Sequence, residues 1–153
     1  MKIGIDISQT AFGRTGVSNY LSDLVCGMLE EDHENEYVLF FASLRGSINP
    51  EFKKRLNQLM SSNKKISIKA VPIPPTVLDL MWNKLHIVPI ENLIGNVDFF
   101  ITSDWTEPPA RKAKKGSILY DLIVYKFPQE SHNQTKFLWK DLILKPNIVK
   151  SQK

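Results

Sequence analysis

The chain has 153 residues, 42% apolar and 10% aromatic, which is enough for one sizeable core and too few for two full domains. Its 20 Lys and Arg against 16 Asp and Glu leave a formal net charge of +4. That charge is spread through short clusters, so it tolerates an anionic ligand without demanding nucleic acid, and no nucleic-acid partner is expected. The single cysteine, Cys26, excludes a disulfide framework and supplies no metal-ligand spacing; it reads as a core thiol in a reducing compartment.

The opening Met-Lys-Ile-Gly-Ile-Asp reads as a strand interrupted by Gly4 and Asp6, not as a signal peptide. No stretch approaches the roughly 20 apolar residues of a membrane span. Residues Lys2 to Ile7 form the first predicted strand. After a polar loop, Val17, Tyr20, Leu21, Leu24, Val25, Met28 and Leu29 recur at helical i, i+3, i+4 spacing. Acidic, polar residues from Glu30 to Glu36 lead into "YVLFFA", an apolar run of strand length that suits a central parallel strand covered on both faces.

Asn49-Pro50-Glu51 is a helix start, with a capping side chain, proline at the first helical position and an acid in the first turn. Phe52, Leu56, Leu59 and Met60 supply that helix's buried stripe. "ISIKAV" alternates as a third strand. Prolines in "VPIPPTVLDLMWNKLHIVP" stop it, and Leu78, Met81, Trp82 and Leu85 then share one helical face before Pro89 closes the segment. "VDFFIT" is a fourth strand and "GSILY" a fifth. From Ser131 onward the pattern is helical, with Leu138, Leu142 and Ile143 among its buried candidates and a break at Pro146.

Strands alternating with helices predict a single α/β domain. The expected architecture is a Rossmann-like open parallel sheet with helices on both faces and strand order 3-2-1-4-5. Ligands of such sheets bind beyond the carboxyl ends of the strands, where the order reverses beside the first strand. "SQTAFGRTG", "SDWTEPPARK" and "YDLIVYKFP" are the loops expected to meet there.

In the first loop, Gly13 and Gly16 allow close backbone approach, Thr15 can cap the following helix, and Arg14 adds a guanidinium. A helix N-terminus beside such a loop suits phosphate or carboxylate, although an ordinary strand-to-helix turn needing glycine explains the spacing equally well. The pattern is not G-x-G-x-x-G, and no Gly-Lys-Ser/Thr follows, which argues against dinucleotide binding and triphosphate hydrolysis.

In the second loop, Ser103, Asp104 and Trp105 form a group able to stack on a sugar ring and accept its hydroxyls; the alternative, which the sequence favours, is that Trp105 simply covers the sheet edge. In the third, Asp121 beside Tyr120 either orients a hydroxyl or caps a turn. His33, His86 and His132 have neither metal nor triad spacing, so no metal site is expected. The basic clusters read as solvated faces, except that Arg111-Lys112 with Lys114-Lys115 is expected close to the crevice, where it would steer an anion.

Taken together, "MKIGIDIS…GRTGVSNYLSDLV", "NEYVLFFA", "VDFFITSDWTEPP" and "ILYDLIVYKFP" resemble, in order and spacing, the N-terminal domain of GT-B glycosyltransferases of group 1 (family 4). These are retaining enzymes that use nucleotide sugars. The resemblance spans nearly the whole chain, and R-T-G-x-x-x-Y is its most specific element. It implies a domain over residues 1–153 that moves a sugar from a nucleotide-sugar donor to a glycan or lipid-linked acceptor in polysaccharide or cell-envelope synthesis.

The resemblance also implies that Gly16, with Gly13, Arg14 and Thr15, lies at the donor phosphates. Ser103, Asp104 and Trp105 then fall on the acceptor side, and Tyr120 and Asp121 at the catalytic cleft. The family often has His-Asp where this chain has Tyr120-Asp121, so any role of that histidine would pass to the tyrosine hydroxyl. No separate cofactor is implied. The expected location is cytoplasmic, with peripheral contact at the inner membrane face where acceptors are lipid-linked.

The second domain, which carries most of the donor site in that family, is not found in these 153 residues, and the polypeptide alone is expected to be inactive. The alternative from another class is a non-catalytic α/β interaction or nucleotide-binding module.

Overall fold

A computed structural model describes residues 1–13, 15–63, 65–103 and 106–120. It divides into one compact unit, Met1–Ile118, and a second, Leu119–Lys153. The helix expected from Ser131 onward lies outside the described residues.

The first unit is an α/β domain built on a five-stranded, all-parallel sheet. Its strands are β1 (Lys2–Asp6), β2 (Glu36–Ala42), β3 (Ile66–Val71), β4 (Phe99–Thr102) and β5 (Lys114–Ser117). Their order is β3-β2-β1-β4-β5, as the alternation of strands and helices predicts. Ile5 lies opposite Leu39 on one side and Ile101 on the other, so β1 is central and the order reverses beside it. The fifth strand runs over Lys114–Ser117 and not over 116–120 as the apolar run suggests, because Lys114 and Lys115 pair with Phe99 and Phe100. Among the described residues β5 is the last strand of the sheet, and lysine suits an edge position.

Side-chain alternation in β2 divides the core in two. Tyr37, Leu39 and Phe41 join Ile5, Leu21, Val25, Phe52 and Leu56 beneath α1 (Gly16–Glu31) and α2 (Pro50–Ser62). Val38, Phe40 and Ala42 join Leu78, Trp82, Ile94 and Phe100 on the opposite face. A strand that is apolar at every position after Glu36 therefore has a covered face on each side. Cys26 is buried in the first of these clusters, as expected of a core thiol.

Both long helices start as their sequences dictate. Thr15 caps α1 by accepting from Ser18 N at 3.1 Å, and Asn49 caps α2 by accepting from the amides of Glu51 and Phe52. The α1 stripe buries Leu21, Val25 and Leu29 but leaves Tyr20 55% exposed, since it points away from the sheet.

The opposite face is less regular. α3 (Pro75–Leu78) runs directly into a π-helix over Asp79–Lys84, where Leu85 N donates to Leu80 O at 2.9 Å. The wider turn carries Leu85 off the expected stripe and leaves it 54% exposed, while Leu78 and Trp82 stay in the core. Trp82 stacks obliquely on Phe40 with ring centroids 5.6 Å apart. Its indole N–H donates to Val88 O at 2.9 Å, which helps hold a β-branched residue at the unfavourable φ of 60°. A single helical turn, α4 (Glu91–Ile94), then leads into β4.

Candidate functional site

The carboxyl edge of the sheet is assembled around the end of β1. Asp6, its last residue, is buried at 3% exposure. One carboxylate oxygen accepts from Ser8 N at 2.9 Å, and the other accepts from the Thr106 hydroxyl at 3.2 Å. Residues 100 positions apart in sequence thus join the loops after β1 and β4, two of those expected to converge. Burial pushes the Asp6 carboxyl above its ordinary range, and the hydrogen bonds from Ser8 and Thr106 offset that only in part.

The loop after β2 is tied in as well. Ser8 Oγ accepts from Ala42 N at 2.9 Å, and Gly46 packs so closely that a side-chain carbon there would meet Ala11 at 3.1 Å. From β1 the chain passes through a 3-10 turn, Ser8–Ala11, in which the Thr10 hydroxyl donates to Ile7 O at 2.7 Å.

Gly13 and Gly16 prove to have different reasons for being glycine. Gly13 has φ = +70°, a conformation that side-chain-bearing residues rarely adopt, so the turn itself accounts for it. Gly16 is the first residue of α1 and shows no positive φ; among the described residues, a Cβ added there would meet nothing within 4 Å. Packing of the described residues thus leaves the glycine unexplained. The amides of Gly16 and Val17 precede the first turn's acceptors, while those of Ser18 and Asn19 are taken by Thr15. Among the described residues no acceptor is seen for the Gly16 and Val17 amides, and this end of α1 carries the positive end of a helix dipole. Arg14 lies outside the described residues.

After β4, Thr102 and Ser103 are both buried. The Thr102 hydroxyl donates toward both Ser103 O, at 3.1 Å, and Thr106 O. Glu107 N donates to Asn83 Oδ1 at 3.0 Å, and its carboxylate pairs with Lys115 at 3.0 Å. Asp104 and Trp105 lie outside the described residues. Tyr120 belongs to the second unit and is half-buried, and Asp121 lies outside the described residues.

The basic cluster expected near the crevice falls elsewhere. Arg111 and Lys112 precede β5 and so lie toward the amino edge of the sheet, because β5 is parallel to β4 and starts level with Phe99. The long loop after β4 has to return across the sheet before β5 begins. There the amides of Arg111, Lys112 and Ala113 donate to one oxygen of Glu91, at 2.9, 3.0 and 3.2 Å. Burial opposes ionisation of Glu91, but backbone amides, those of Lys112, Ala113 and Arg111 among them, outweigh it and hold the carboxyl below its ordinary value.

Asp6 and Thr106 are the site residues that sequence reasoning did not single out. Asp6 left a visible signal, a carboxylate ending an apolar strand, whereas Thr106 became significant only through its distant partner. Among the described residues, no group of three or more His, Cys, Asp or Glu is arranged to hold a metal ion, and no helix is long and apolar enough to cross a membrane. Comparison of the chain with protein-family models, with curated proteins and with solved structures finds no match.

Proposed function

We propose that this chain is the acceptor-side Rossmann-like half of a retaining glycosyltransferase of the GT-B, group 1 type. In this reading it moves a sugar from a nucleotide-sugar donor to a glycan or lipid-linked acceptor. The supporting observation is Gly16, a glycine that neither backbone conformation nor described neighbours require, at the capped start of a 16-residue helix beside the strand where the sheet order reverses. A small residue there leaves room for a diphosphate oxygen to approach the amides of Gly16 and Val17, and the helix dipole favours the charge.

Loss of the nucleoside diphosphate builds up negative charge, so groups already oriented toward that position would lower the barrier without reorganising. Gly13 and Arg14 would support the same wall of the cleft, with Thr15 fixing the start of the helix. Ser103, Asp104 and Trp105 would belong to the acceptor side, and Tyr120 and Asp121 to the catalytic cleft. Most of the donor would be held by a second domain, beyond the one described here.

The test is transfer by the product of the whole reading frame, using a panel of radiolabelled nucleotide sugars with glycan and lipid-extract acceptors. Gly16→Val keeps the amide but fills the approach, and transfer is expected to fall by about tenfold or more. Failure of the parent protein to transfer any sugar, or an unimpaired variant, would overturn the assignment. Diphosphate binding without transfer would point instead to a nucleotide-binding module.

A further inference from the structure

The described residues of the loop after β4, Thr106 onward, belong to no helix or strand until β5, yet they are met by side chains that arrive from distant parts of the chain. Thr106 is held by Asp6 at the end of the central strand, and the next residue, Glu107, is held through its amide by Asn83 on the π-helix. Asn83 has one possible orientation in this network. Its Nδ2 donates to Asp79 Oδ1 at 2.9 Å, and a carboxylate can only accept there. Oδ1 is therefore left facing an amide that can only donate. Lys84, 3.6 Å from the other Asp79 oxygen, steadies that carboxylate.

Pro108 and Pro109 follow and have no N–H to offer, so their carbonyls carry the hydrogen bonding instead. Lys115 Nζ reaches Pro108 O at 3.0 Å, and Ile90 N reaches Pro109 O at 2.9 Å. Three backbone groups of the loop, Glu107 N, Pro108 O and Pro109 O, are thus met by Asn83 on the π-helix, Lys115 on β5 and Ile90 just before α4.

We propose that Asp6 and Asn83 are positioning residues, which hold Thr106 and Glu107 in one fixed rim at the carboxyl edge of the sheet. The π-helix has a purpose in this arrangement: its wide turn keeps Trp82 in the core while Asn83, the next residue, faces the loop. What the rim would hold rests on the acceptor-side reading, but the positioning can be measured with no ligand present, so either can fail without the other.

The test uses the 153-residue chain, with amide hydrogen exchange, 15N order parameters and urea denaturation for Asn83→Ala, Asn83→Asp and Thr106→Val. Asn83→Ala removes the acceptor, and exchange of the Glu107 amide is expected to rise about tenfold or more while β1 and β2 amides keep their protection. Asn83→Asp still presents an acceptor oxygen and is expected to restore most of that protection. Thr106→Val keeps the shape but cannot donate to Asp6, and order parameters at Thr106 and Glu107 are expected to fall while those of β1 and β2 are unchanged, with a modestly lower urea midpoint because the buried carboxylate loses a donor. Unaltered exchange and order at the rim would overturn the proposal. So would losses spread evenly over β1 and β2, or a variant that does not fold, because these contacts would then serve the core and not the rim.

Discussion

Gly4 is a case in which one hydrogen atom decides the packing. A Cβ at this position in β1 would lie 2.6 Å from the Phe100 ring and 2.9 Å from Ile94 Cδ1, and both neighbours are buried. Neither can swing aside in a close-packed interior. Gly4→Ala is expected to cost about 1–3 kcal/mol, measured as a lowered urea midpoint with an unchanged slope. In the sequence Gly4 is only an interruption in a short apolar run. What requires it is Phe100, almost a hundred residues away. Gly13 is the opposite case, since the residues around it already spell a turn and its φ of +70° follows from that local need.

Elements built from local signals agree with the sequence more closely than those built from tertiary demands. α2 begins at Pro50 behind an Asn49 cap, and that start is written in three consecutive residues. Asn49→Ala strands the amides of Glu51 and Phe52, and about 1 kcal/mol of stability should be lost in chemical denaturation. The cost falls on the helix start alone, so the spacing of the stripe below it is undisturbed.

The π-helix shows where local reading stops. Leu78, Met81, Trp82 and Leu85 have ordinary helical spacing, yet the wide turn exposes Leu85. No residue within Asp79–Lys84 announces the extra width. It is settled by a buried indole that needs Val88 O and by a neighbouring loop whose amide needs Asn83 Oδ1. The lysines that open β5 are similar, because a polar edge strand looks like a loop until its partner is known.

Across the whole molecule, two buried carboxylates give folding opposite dependences on pH. The folded pKa of Asp6 is raised, so its ionised form opposes folding at neutral pH, and that cost is relieved as pH falls through the folded value. The folded pKa of Glu91 is lowered, so its contribution is complete above the unfolded value and is lost as pH falls toward the folded one. Urea denaturation from pH 7 downward should therefore show the parent gaining stability relative to Asp6→Asn and losing it relative to Glu91→Gln. Slopes of the same sign would contradict this assignment of the two environments.

The class of fold, the order of its strands, the two capped helices and the buried second strand follow from the sequence by itself. The capped helices and the buried strand depend on hydrophobic period and cap chemistry within a few neighbouring residues, and the class and strand order on the alternation of strands with helices along the chain. Tertiary structure alone decided that Asp6 meets Thr106, that Asn83 faces Glu107, and that the Arg111-Lys112 cluster lies away from the carboxyl edge. Those outcomes depend on groups 24 to 100 residues apart finding hydrogen-bond partners in a shared, water-poor space, and on parallel strands forcing each connection back across the sheet. Gly16 belongs to both accounts: the sequence marks the glycine loop, and only the folded surroundings reveal that no described neighbour requires it.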